Sequence, residues 1–91
     1  MKKLLFSLAI ISFSVILQAQ KEDASSLLKS GTDKFNSGNL DGAVIDLSKA
    51  IELAPQNAEA YFTLGEVKFK QNDDKEAMVN YNKALEINPK N

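Results

Sequence analysis

Apolar residues in the last third of the chain recur at the spacing of a helix face. Tyr61, Leu64, Gly65 and Phe69 fall on one side of one stretch, and Ala77, Tyr81, Ala84 and Leu85 follow at i, i+4, i+7 and i+8 in the next. Each pattern predicts an amphipathic helix. Asn72-Asp73-Asp74 separates them with helix-stop and N-cap chemistry, as Ser37-Gly38-Asn39 does earlier, ahead of the stripe Ala43, Leu47, Ala50 and Ile51. Connections this short force the two helices of a pair to lie antiparallel. Pro55 ends the first pair, because its ring clashes with the preceding turn and it has no N–H to donate. The next helix is expected from about Ala58.

The two pairs are copies of one unit. Shifted by 34, residues 24–57 lie over residues 58–91 without a gap, and Ala24, Gly31, Lys34, Phe35, Ala43, Lys49, Ala50, Glu52, Pro55 and Asn57 each meet their own kind. Residues 24–57 and 58–91 are therefore read as two repeats, and the fold class as all-α, a solenoid of two antiparallel helix-turn-helix units. A glycine inside a helix costs about 1 kcal/mol against alanine, so Gly31 and Gly65 require a compensating reason. Close approach of a neighbouring helix supplies it, with Ala43 and Ala77 expected as the facing residues. Ala50 and Ala84 are expected to leave room for the next helix in the stack.

The start of the chain is different. Lys2 and Lys3 precede Leu4–Leu17, a run without charge, and Ala19 stands before Gln20. That is the pattern of a secretory signal. A bilayer-spanning helix needs about 20 apolar residues, and Gln18, Gln20, Lys21 and Glu22 arrive too soon, so a retained anchor is the lesser alternative. Residues 1–19 are assigned to a signal peptide cut after Ala19, and residues 20–23 to a short linker. The product is expected to be exported, periplasmic or secreted, with no membrane attachment after cleavage. No cysteine follows the cut to carry a lipid.

Composition narrows the chemistry. With 11 basic and 12 acidic residues, net charge gives no nucleic-acid footprint. The chain holds no His and no Cys, which removes thiol nucleophiles, zinc ligands and the side chain that titrates near neutrality. No cofactor and no metal are expected. Carboxylate pairs such as Asp73-Asp74, or Glu59 with Glu66, would need a sheltered pocket with shifted pKa values to act as acid and base, and two repeats are too few to build one. Asp73-Asp74 also fits a helix start, where carboxylates cap free N–H groups, and the cluster lacks the ligand ladder of a calcium loop. The chain is not expected to be an enzyme.

Within each unit the spacing resembles the tetratricopeptide repeat family, whose 34-residue unit carries a W-x2-L-G-x2-Y, A, F, A and P pattern. In the second unit Tyr61 stands for the Trp, Leu64-Gly65 for the pair, and Ala77, Tyr81, Ala84 and Pro89 follow in place. The first has Leu27, Ser30-Gly31, Ala43, Leu47, Ala50 and Pro55, with Ser30 a weak substitute for leucine. In both, a lysine (Lys34, Lys68) replaces the tyrosine after the glycine and the aromatic moves on to Phe35 and Phe69. These phenylalanines are assigned to the core, with a binding groove as the other place for them.

The resemblance implies a binding scaffold whose concave surface, lined by the first helix of each unit, holds a peptide or partner protein. Carried over by motif, the candidate concave residues are Ser25, Leu28, Thr32 and Asn36, then Glu59, Phe62, Glu66 and Lys70. The clamp with which some relatives hold a partner's C-terminal carboxylate is missing, because Leu28, Thr32 and Thr63 occupy its places. Glu59 and Glu66 instead favour basic or apolar ligand side chains. A different class of function is a structural or self-assembling piece, or the first part of a longer repeat protein. The stripe of the last helix is expected to be open on its outer side, with Tyr81 and Leu85 as an exposed edge through which copies could associate.

Overall fold

The computed structural model describes residues 24–90. The signal peptide and linker assigned to residues 1–23, and Asn91, lie outside the described residues. Four helices follow one another: α1 over residues 24–36, α2 over Leu40–Leu53, α3 over Ala58–Lys70 and α4 over Asp74–Ile87. The expected all-α, helix-turn-helix architecture is what the chain adopts.

Local chemistry places every turn. The Gly38 N–H donates to the Phe35 carbonyl and the Asn39 N–H to that of Lys34, and the same two bonds recur from Asn72 to Phe69 and from Asp73 to Lys68. This is the double bond of a Schellman ending, which needs a left-handed residue just past the helix. Gly38 (φ 88°) and Asn72 (φ 64°) supply it. The next residue then starts the following helix: the side chain of Asn39 accepts from the Gly42 N–H, and that of Asp73 from the Glu76 N–H. Asn57 does the same for α3 through the Ala60 N–H. Ahead of Pro55, Ala54 closes α2 with an extended φ of −138°, as the residue before a proline prefers.

α3 is the central element, packing on α2 on one side and on α4 on the other. Ala43, Leu47, Leu64 and Val67 form the buried cluster, with Leu28, Phe35, Leu40, Val44 and Ile51 packed against it. The core therefore lies between the two repeats rather than inside either one. Ala50, Ala60, Ala77 and Ala84 are also buried, and such small residues are what lets neighbouring helices close together.

Two expectations are corrected. The residues facing the helical glycines are Leu47, whose Cγ would lie 2.6 Å from a β-carbon on Gly31, and Tyr81, whose ring would lie 2.7 Å from one on Gly65. Ala43 and Ala77 are buried but one turn away, because the larger side chain of the crossing helix is the one laid over the bare backbone. The phenylalanines also part company. Phe35 packs on the core while Phe69 is 58% exposed, since α3 covers the first repeat's side and no described helix covers the second's.

Candidate functional site

Position along the repeat decides what each proposed concave residue meets. Ser25 is exposed; Leu28, one turn on, spends part of its side chain on the core. The Thr32 hydroxyl donates to the Leu28 carbonyl at 2.8 Å, so it serves its own helix. Asn36 is exposed at the end of α1, and Lys70, its counterpart one repeat later, is exposed at the end of α3. These two come together, with Phe35, Gly38 and Leu40, around a cleft of about 440 Å³. Beside it, Gln71 Nε2 donates to Asp41 Oδ1 at 3.1 Å and ties the end of α3 to the start of α2. Glu59 is exposed and Glu66 half-buried.

Phe62 faces elsewhere. Its ring lies 5.5 Å, centre to centre, from that of Tyr81, at a tilt of 47°. Phe62, Tyr81, Ala84 and Leu85 line a half-open apolar pocket of about 260 Å³. Phe62 therefore joins the C-terminal edge, where Tyr81 and Leu85 were expected. Burial, and the Glu66 carboxylate next, push the Tyr81 phenol above its ordinary 10.0. The hydroxyl thus stays protonated and able to donate throughout the neutral range.

The 34-residue repeat gives this edge a meaning. In the first unit Leu28, Phe35, Val44 and Ile51 pack against the core that α3 completes. Their counterparts in the second unit are Phe62, Phe69, Met78 and Leu85, all large, all apolar and 45–58% exposed. A covered surface in one repeat recurs uncovered in the next.

A third feature escaped sequence reasoning. The Ser30 hydroxyl donates to Asp46 Oδ2 at 2.7 Å, and Lys34 Nζ lies 2.8 Å from the same oxygen. These bonds hold the buried Asp46 carboxyl below its ordinary 3.8 against the opposing effect of burial. The signal was available: where the first unit departs from leucine at Ser30, Asp46 stands opposite. In the second unit the paired positions are Leu64 and Asn80, and the Asn80 amide donates within its own helix to the Glu76 carbonyl. The group clamps α1 to α2.

Two family models match the chain, one described as TPR repeat over residues 31–72 and one described as tetratricopeptide repeat over residues 58–91. Together they run from within α1 to the last residue. No curated protein matches the chain.

Proposed function

This chain belongs to the tetratricopeptide repeat family, whose repeats are protein-interaction modules, and from that premise we propose that it is an exported module that takes a peptide or partner protein on the side shared by α1 and α3. The observation that supports this reading is the convergence of Asn36 and Lys70 on one open cleft beside Phe35. An amide, an ammonium and an aromatic ring at one opening offer donors and an acceptor for a peptide backbone and an apolar seat for a side chain. Glu59 and Glu66, earlier on α3, add negative charge, which suits a ligand whose basic residues lie toward the start of that helix. Export rests on the Lys2-Lys3 start, the apolar run and Ala19.

The test is capture by in-cell crosslinking, followed by affinity measurement with the identified partner. Asn36→Ala and Lys70→Glu are expected to weaken binding by about tenfold each, the scale of one charged or amide contact. Ile45→Ala, at a position 61% exposed in α2, should leave it unchanged. Equal binding by all three variants would place the partner on another surface.

A further inference from the structure

In the first repeat, the surface that recurs uncovered on α3 and α4 is covered by α3 through Ala60, Leu64 and Val67, all buried. A second copy stacked head to tail would have to present α1 in the same way. The residues of α1 one repeat earlier are Ser26, Ser30 and Asp33. With Lys29, Lys34 and Ser37 they border an open cleft of about 620 Å³ lined by polar and charged residues. Seating α1 there would take the Asp33 carboxylate out of water where Val67 lies, together with the neighbouring Lys29 and Lys34 ammonium groups, and desolvating these charges is unfavourable. The N-terminal side of the stack is polar and the C-terminal side apolar, so open-ended stacking of copies is disfavoured.

The remaining way for copies to cover the apolar side is with itself, about a two-fold axis, the isologous arrangement. α4 is suited to this. Met78 and Leu85 stand seven residues apart, two turns on one face, with Lys75 and Glu86 bracketing them toward the two ends. Laid antiparallel on a second α4, Met78 of one copy meets Leu85 of the other, and Lys75 comes within about 3 Å of axial register of the other copy's Glu86. A parallel arrangement would set Lys75 against Lys75. Among the described residues Glu86 pairs with Lys83 of its own helix at 3.8 Å, and its carboxylate is 73% exposed, so it can accept a second cation.

We propose that this chain pairs with a second copy of itself through α4, antiparallel, with Met78 against Leu85, Lys75 against Glu86, and Phe62 and Phe69 flanking the contact. At roughly 200 Å² for each large side chain, the exposed parts of Phe62, Phe69, Met78 and Leu85 amount to about 400 Å² per copy. Doubled and given a polar rim, that lies near the lower end of specific interfaces, which implies a reversible dimer. The pairing surface is separate from the Asn36–Lys70 cleft, and Phe62 serves the pairing.

The chain has no cysteine, so a single introduced thiol reports its own neighbours. In the full chain, isolated in the form the cell produces, Asn82→Cys lies beside the axis and is expected to crosslink to its own kind through a short bis-maleimide, whereas Ser26→Cys is not. Sedimentation equilibrium should show a dimer that Leu85→Glu converts to monomer with its helical circular dichroism retained. Lys75→Glu should weaken the dimer by about tenfold, and Lys75→Glu with Glu86→Lys should restore it. Asn36→Ala should not alter it. A monomer at every concentration overturns the proposal. So do crosslinks between Asn82→Cys and Ser26→Cys, which mean head-to-tail stacking, and crosslinks of Asn82→Cys to a different polypeptide, which mean a foreign helix on this face.

Discussion

The ring of Tyr81 occupies the space that a β-carbon on Gly65 would need, two of its ring carbons lying 2.7 Å from where that atom would stand. Leu47 does the same over Gly31, with Cγ at 2.6 Å and its backbone nitrogen at 3.3 Å. The two glycines differ in what can give way. Leu47 is fully buried and Tyr81 only partly so. Overpacking costs about 1–3 kcal/mol against a propensity gain of about 1 kcal/mol. Gly31→Ala is therefore expected to lose up to about 2 kcal/mol, and Gly65→Ala less, because the Tyr81 ring can swing outward. Urea denaturation of both variants checks the order.

The turn residues give a second contrast. A β-carbon on Gly38 would meet nothing within 4 Å, so Gly38→Ala is opposed only by its left-handed backbone, at a cost of about 1 kcal/mol. At the matching place Asn72 already bears that conformation. Asn72→Gly is expected to be neutral or slightly stabilising. Thermal unfolding of the pair separates backbone strain from packing.

Asp46 predicts a pH dependence. Its folded carboxyl titrates below 3.8, so between the two pKa values the unfolded chain binds the proton more tightly and stability rises with pH. The contribution is whole above about 3.8 and is lost as pH falls through the lower folded value. Asp46→Asn should be less stable at neutral pH and show a shallower acid limb. Melting curves from pH 7 to 2 measure both.

Export makes a mass prediction. Intact mass of material recovered from outside the cytoplasm should correspond to a chain starting at Gln20, with or without loss of ammonia on cyclisation. Recovery of the 91-residue chain in membranes would contradict the signal-peptide assignment.

Legibility in the sequence followed locality. Helix limits, the Gly38 and Asn72 turns and the caps at Asn39 and Asp73 depend on a few neighbouring residues, so their chemistry could be read directly. Which residue lies over Gly31 or Gly65 depends on how two helices cross, and periodicity does not carry that. Phe35 and Phe69 hold the same place in the repeat, each after a lysine, yet differ in burial, because burial is decided by the next helix and not by the residue. Phe62 is grouped by the family motif with Glu66 and Lys70 on the concave face. Its contact with Tyr81 depends on how α3 and α4 pack, and periodicity does not carry that either. The Ser30–Asp46–Lys34 cluster spans two helices and showed only as a departure from leucine.

The surface that α3 covers on the first repeat recurs, fit for a helix, on the second. Appending a further copy of residues 58–91 after Asn91 keeps the 34-residue register and supplies a helix with the pattern of α3. Thermal unfolding followed by circular dichroism at two protein concentrations is the direct measurement. Added helix and a melting temperature higher by roughly 10 °C or more are expected, with the concentration dependence retained because the appended repeat presents the same pairing face at its own end. An unchanged melting temperature with no gain in helical signal would contradict that recurrence.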